Sequence, residues 1–311
     1  MKNETSIKYF YLLPFYGGIQ NKSLIAAFFS LIYLVGILVN SSIITVICLE
    51  VQLHKPMYIF ISNLSIVDIC YTSVTVPKLL HMLLSGDHIV PFSQCYTQLY
   101  FFATVGTAED ILLFIMAYDR YVAICIPLHY PIILSQRNCT MITFGIWAAA
   151  FLNSLLYTTT ALYKSSCHSN IIHQFFCDAK SLTKTTCSST NIFFIVTGLE
   201  VLILAVFPLL CILISYVKIF SVIFNMKSKE SRRKAFSTCS SHVTVISIYY
   251  GTALVGNLIP SNSEIQESVV NIIYTSIIPM INPIIYSLQN SNVQSALSPR
   301  RGSCKPGMYK Y

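Results

Sequence analysis

Asp119 and Arg120 stand side by side at the end of a long apolar run, and an acid beside a base in such a place needs a physical reason. From Leu99 to Ala117 the chain is largely apolar and helix-length, so the pair is expected to emerge near a membrane surface, where a charge reaches water without the full bilayer penalty. The plain alternative is a helix end whose arginine snorkels to lipid headgroups. Other polar groups lie deeper. Asn40 and Asp68 fall midway along apolar runs, where an unsatisfied polar group costs several kcal/mol. Glu109, Asp110 and Asn282 are available as partners, and one cluster inside a helix bundle satisfies them together; separately hydrogen-bonded groups are the alternative. Glu200 lies roughly 13 Å inside its run at 1.5 Å per residue. It either snorkels, is neutralised, or faces a cavity.

These residues need helices that cross a membrane, and the composition supplies them. The chain is 54% hydrophobic and 10% charged, with mean hydropathy +0.64, far from the balance of a soluble domain. A span needs about 20 apolar residues. Seven such runs occur, at 24–49, 57–80, 96–122, 140–162, 192–222, 238–259 and 267–288. The expected fold is an all-α membrane protein, a seven-transmembrane helix bundle over 24–290, between an extracellular tail at 1–23 and a short cytoplasmic tail at 291–311. Of the 20 Lys and Arg residues, the seven Lys2, Lys8, Lys22, Lys78, Lys164, Lys180 and Lys184 fall on one side and the rest on the other, densest before the sixth span. The positive-inside rule then places the N-terminus outside and the C-terminus inside. The net charge of +8 is mostly this pattern and calls for no nucleic acid. The first twenty residues lack a positive region followed by an apolar core and cleavage site, so the first span is expected to act as an uncleaved targeting signal.

Sequons occur at Asn3, Asn21, Asn40, Asn63 and Asn138, of which Asn3 is the expected glycosylation site because the others lie near or in the bilayer or inside. Four cysteines, Cys95, Cys167, Cys177 and Cys187, fall in outer loops, where oxidation is expected; they allow three pairings. A zinc site from Cys167, His168, His173 and Cys177 is the metal alternative. Pro208 and Pro283 interrupt the fifth and seventh spans and should bend them.

The string MAYDRYVAIC from Met116 to Cys125, followed by Pro127-Leu128-His129-Tyr130, resembles the third-helix end of rhodopsin-like G-protein-coupled receptors, in the wording of the olfactory receptor family. PMYIFISNLSIVDICYTSVTVPKLL from Pro56 to Leu80, KAFSTCSSH from Lys234 to His242, and PMINPIIYSLQN from Pro279 to Asn290 carry the same resemblance, which covers about residues 24–297. Val39, Asn257, Ile259 and Gln289 depart from the family's usual residues. The resemblance implies an odorant receptor in the plasma membrane, with a small volatile ligand and a stimulatory, cAMP-raising heterotrimeric G protein as partners, and lipid around it. It implies pairing of Cys95 with Cys177 and of Cys167 with Cys187. It implies that Asn40, Asp68, Glu109 and Asn282 gather around water or a sodium ion, with no other cofactor and no structural metal.

For coupling, the resemblance points to Asp119, Arg120, Tyr121, Tyr216, Lys234, Asn282, Pro283 and Tyr286. For the ligand, it points to the outer halves of the third, fifth, sixth and seventh spans, where Phe102, Gly106, Glu200, Tyr250, Leu254, Asn257 and Tyr274 are the expected lining. Ligand binding would favour a state whose inner face opens to the G protein, with the Asp119–Arg120 pair restraining the inactive state. Three other readings compete. A transporter would show paired repeats and broken helices, and the two halves show no self-similarity. An enzyme would need a phosphate-cradling glycine loop, His-Glu-x-x-His or Gly-x-Ser-x-Gly, none of which occurs in the sequence. A non-olfactory receptor for an amine or lipid draws its support from the extra acids Asp110 and Glu200.

Overall fold

The structure, a computed structural model, describes residues 8–13, 21–162, 170–184, 191–258 and 264–289. The first helix, α1 (Lys22–Leu49), shows why this chain needs a bilayer. Ala26, Phe29, Ile32, Gly36, Asn40, Ile43 and Ile47 recur at three- and four-residue steps and are buried, while Leu24, Phe28, Leu31, Leu34 and Leu38 recur on another face and are exposed. A helix apolar all round, with one face on protein and the other uncovered, is stable only against lipid.

Next comes α2 (Pro56–Ser85), which begins with proline in its first turn, where the missing N–H costs no helical bond. It ends at Gly86, whose φ of 72° is left-handed and lets the cap N–H reach the Met82 carbonyl. The third span, α3 (Phe92–Cys125), has 34 residues and is about 51 Å long, so its ends project beyond a hydrocarbon core of roughly 30 Å. A short α4 (Tyr130–Ile133) leads to the fourth span, α5 (Gln136–Leu162), and α6 (Ala179–Lys184) lies in the loop that follows.

The fifth span is α7 (Asn191–Glu200), a π-helical stretch Val201–Val206, and α8 (Phe207–Phe224). The sixth is α9 (Lys229–Leu258); the seventh is α10 (Glu264–Ile272), a π-helical stretch Ile273–Ile277, and α11 (Ile278–Gln289). Both wide turns end two residues before a proline, Pro208 or Pro279. Proline has no N–H for the carbonyl four residues back and its ring crowds that carbonyl, so a widened turn just before it relieves both defects. At Pro208, where a bend is expected, the helix widens in the turn just before the proline. Pro283 lies inside α11.

Six of the spans are long and apolar enough to cross a membrane on length and composition alone. The exception is α9, which matches α2 at 30 residues but carries charged and hydroxylic residues from Lys229 to His242. It nevertheless packs against α3, α8 and α11, completing the bundle of seven. The basic run expected as a connecting loop forms the first turns of α9 from Lys229 onward, because a helix end beyond the bilayer needs no apolar face. The central element is α3, which packs on α2, α5, α8 and α9.

One end of the bundle is capped by a three-stranded sheet in the order β2-β1-β3, built from β1 (Tyr9–Leu12), β2 (Ile89–Pro91) and β3 (Ile171–Ile172). β1 runs antiparallel to β2, with Phe10 opposite Val90, and parallel to β3, with Tyr11 opposite Ile171. Phe10 and Leu12 are fully buried beneath the cap while Tyr9 and Tyr11 face out, the period-2 arrangement of a strand with one covered face. The same end holds the disulfide between Cys95 and Cys177, whose Cα atoms are 5.4 Å apart. Asp119 and Arg120 lie at the opposite end of α3.

Candidate functional site

Beneath the disulfide end lies a cavity of about 540 Å³, walled by α3, the loop carrying Cys177, and the fifth, sixth and seventh spans. From α3, Phe102, Gly106, Thr107 and Asp110 reach it at the three- and four-residue steps that share a helix face. Thr197 and Glu200 come from the last turn of α7, and Val201, Leu204 and Ala205 from the wide turn below. From the seventh span come Glu267, Val270, Asn271 and Tyr274. The loop adds Gln174, Phe176 and Asp178, positioned by the disulfide and by Gln98, whose Oε1 accepts the Cys177 N–H at 2.9 Å while its Nε2 donates to the Val74 carbonyl at 2.8 Å.

Of the expected lining, Phe102, Gly106, Glu200 and Tyr274 border this cavity. Tyr250 and Leu254 do not. Tyr250 is buried in the core cluster and Leu254 is exposed, because the turn of α9 brings Thr252 and Ala253 to the wall instead. The Asn257 side chain lies outside the described residues. Tyr71 was not expected at the wall, yet its ring meets Phe102 at 5.2 Å and Tyr274 at 5.5 Å, both edge-to-face. A Cβ added at Gly106 would stand 3.3 Å from the Tyr71 hydroxyl, so glycine there makes room for that ring.

The acids divide between two places. Asp110 faces the cavity, and its Oδ1 accepts the Tyr249 hydroxyl at 2.9 Å, which in turn accepts the Tyr274 hydroxyl at 2.6 Å. Glu200 Oε1 accepts Asn153 Nδ2 at 2.7 Å, and the same amide donates to Thr107 at 3.0 Å. Burial pushes the Asp178 carboxyl in the loop above the usual carboxylate range, against the hydrogen bonds from Ser181 that pull it down. Deeper in the bundle, Asp68 and Glu109 are both buried and close enough to interact through their charges. Asn282 Nδ2 donates to Asp68 Oδ1 at 3.1 Å. Asp110 is thus part of the cavity and not of the cluster. Asn40 also binds elsewhere: its amide donates to the Gly36 and Pro279 carbonyls, both at 3.0 Å, and ties the first span to the seventh where a proline frees a carbonyl.

Among the described residues, no group of three or more His, Cys, Asp or Glu side chains is arranged to hold a metal. The paired carboxyls are a different donor set, with Glu109 Oε1 left without a hydrogen-bond partner among the described residues. Hard oxygen donors around two buried acids fit a monovalent cation. Cys177 is joined to Cys95, which removes its sulfur from any zinc site. Cys167, Cys187 and Asn3 lie outside the described residues.

At the far end of α3, Asp119 is fully buried. Its Oδ1 accepts the Tyr130 hydroxyl at 2.9 Å, and its Oδ2 lies 3.4 Å from the Arg120 guanidinium. Burial, with Asp119 beside it, holds the Tyr130 phenol above its ordinary range. Around them, Tyr216 and His242 share a 2.6 Å hydrogen bond between the fifth and sixth spans. Lys218 stands 5.9 Å from the Tyr121 ring. Tyr286 is buried with its hydroxyl unpartnered among the described residues. The Lys234 side chain lies outside the described residues. Sequence reasoning missed Tyr130 as a partner of Asp119, although it closes the motif that follows MAYDRYVAIC; it also missed Gln98 and Gln174, for which no motif gave a signal.

The geometry is therefore a cavity beneath a disulfide-anchored loop at one end of a membrane bundle and an ion pair with a buried aspartate at the other. Residues 29–299 match a family profile described as "Olfactory receptor". The chain is similar to olfactory receptor-like protein I9 of Rattus norvegicus, 42% identical over 302 residues, with 95% of each chain covered. It is similar to olfactory receptor 1C1 of Homo sapiens, 40% identical over 309 residues, with 97% of each covered. It is also similar to olfactory receptor 1E2 of Gorilla gorilla gorilla, 43% identical over 310 residues, covering 98% of this chain and 97% of that one.

Proposed function

The chain belongs to the olfactory receptor family, and on that premise we propose that the cavity at its disulfide end receives a small volatile ligand whose binding is passed to a heterotrimeric G protein at the Asp119–Arg120 end. The protein is an odorant receptor, a multi-pass protein of the plasma membrane, and its relatives are receptors and not enzymes. The observation that carries the ligand assignment is the cavity itself: set among the second to seventh spans beneath a disulfide-anchored loop, mostly apolar, with a few polar groups converging on it. In this reading the disulfide end faces outward and the Arg120 end inward, in keeping with the positive-inside pattern.

Affinity for a volatile comes from burial, at about 25 cal/mol per Å², while the polar groups choose among chemotypes. Activation is a population shift: the ligand binds one arrangement of the fifth, sixth and seventh spans better than another and moves the equilibrium by that difference alone. The wide turns before Pro208 and Pro279 put their change of pitch beside the cavity, since Leu204, Ala205 and Tyr274 lie within them. At the inner end, the hold of Asp119 on Arg120, reinforced by Tyr130, restrains the uncoupled state, and release frees Arg120 for the G protein, which is of the stimulatory, cAMP-raising type. Tyr121, Tyr216, Lys234, Pro283 and Tyr286 surround or lead to that end. Asp68 and Glu109 hold a sodium ion, which offsets one of the two negative charges that paired carboxylates would carry there. Cys167 pairs with Cys187, and Asn3 carries glycan.

Cells expressing the chain at their surface and exposed to a panel of volatile acids, alcohols, thiols and amines should raise cAMP in a dose-dependent way for at least one compound. Uptake of labelled compound with no cAMP response would instead favour a transporter.

A further inference from the structure

We infer that the cavity selects small organic amines, a specificity that rests on the assignment of this cavity as the odorant site. The charges on its wall are one-sided. Among the described lining residues, the acids Asp110, Asp178, Glu200 and Glu267 face a single base, Lys180. Lys180 Nζ lies 3.1 Å from Glu267 Oε1, and its charge also acts on Asp178, so this base serves the two acids at the loop end of the cavity. What reaches Asp110 and Glu200 is neutral: a tyrosine hydroxyl for one and an asparagine amide for the other, each on a single oxygen. Each carboxyl keeps acceptor capacity at the cavity wall, in a place where an uncompensated negative charge is costly.

The loop above adds Gln174, which is 1% exposed and has its Oε1 without a hydrogen-bond partner among the described residues. The open acceptor positions of Asp110 and Glu200 are satisfied by a ligand that brings donors. An alkylammonium group brings three N–H donors, no acceptor and one positive charge, and its hydrocarbon part suits the edge-to-face wall of Tyr71, Phe102 and Tyr274, whose ring faces also attract a cation. A carboxylic acid of the same shape would add a like charge. An alcohol would bring one donor and no charge.

The test uses matched sets on one skeleton each, cyclohexylmethyl, isopentyl and benzyl, as amine, alcohol and carboxylic acid. Binding is read on the purified full-length receptor by thermal shift, and signalling by cAMP in expressing cells. At least one amine should bind about tenfold more tightly than its alcohol partner, as a charge-assisted hydrogen bond exceeds a neutral one, with the acid weakest. Glu200→Gln and Asp110→Asn should each reduce amine affinity about tenfold and shift the alcohol less than about twofold, while Glu200→Asp retains the preference. Alcohols or acids binding as well as the amines, or no amine binding at all, overturns the inference. Amine binding without any cAMP response upholds it and removes the coupling assignment instead. Because binding is measured on purified protein, a variant that reaches the surface poorly still gives an answer.

Discussion

Breaking the bond between Cys95 and Cys177 should disable the receptor before any ligand is involved. The two cysteines are 82 residues apart in sequence, and in the chain-entropy picture a free loop of that length corresponds to about 4.5 kcal/mol at 25 °C. That is an upper bound here, because most of the intervening chain is α3 and α5, which the bilayer holds as helices in any partly unfolded state. Counting only the connecting segments outside α3 and α5, roughly 24 residues, brings the figure to about 3.5 kcal/mol. Against a total stability of roughly 5–15 kcal/mol, either figure is large. The loss is concentrated at the cavity, since Gln174, Phe176 and Asp178 flank Cys177 and would then depend on Gln98, the pairing of β3 with β1 and the Lys180–Glu267 pair. Surface staining of an epitope-tagged receptor should fall by an order of magnitude or more in Cys95→Ser and in Cys177→Ser, and the double variant should be no worse than either single one. Normal surface levels in the single variants, or losses that add in the double, would refute the reasoning.

Arg120→Ala should reach the surface and bind ligand yet fail to raise cAMP; a full response would take Arg120 out of the mechanism. Asn282→Ala removes the described hydrogen bond to the buried Asp68 carboxyl and should lower the unfolding temperature by the equivalent of about 1–3 kcal/mol, with Asp68→Asn in the same chain recovering part of it. Equal stability of the Asn282→Ala single and double variants would mean that Asp68 is satisfied in another way. The raised Asp178 carboxyl binds its proton more tightly in the folded loop than in the unfolded chain, so its contribution to stability is complete below the ordinary Asp value and is lost as pH rises through the folded value. Thermal unfolding of Asp178→Asn should therefore lose that downward slope with rising pH, and an unchanged slope would assign the pH dependence to another group.

All seven spans were legible in the sequence because a bilayer crossing demands length and apolarity, both of which are local properties. The sixth was harder to bound: residues Lys229 to Ser237 continue the helix beyond the run expected at 238–259, and nothing in their composition marks the continuation. Asp68 and Asn282 were legible as partners because a buried acid in mid-span needs one. Which face of α9 meets the cavity was not, since each residue is 100° of helix rotation, so Tyr250 and Thr252, two residues apart, lie on nearly opposite faces. Pro208 announced a disturbance, but whether it becomes a kink or a widened turn depends on packing. The strand β1 was hidden because Tyr9, Phe10, Tyr11 and Leu12 offer no polar contrast from which to read a period of two. Gln98 and Gln174 gain their roles only when the disulfide draws the loop over α3.

The most direct test of the account fills the cavity and leaves the rest of the bundle alone. Gly106 borders that space, and a side chain there must either displace Tyr71 or occupy the cavity. A volatile that raises cAMP in cells expressing the natural chain should lose at least tenfold in potency with Gly106→Val and fail with Gly106→Phe, at surface levels matched by antibody staining. Undiminished potency in Gly106→Phe at matched surface levels would contradict the claim that this cavity is where the odorant acts.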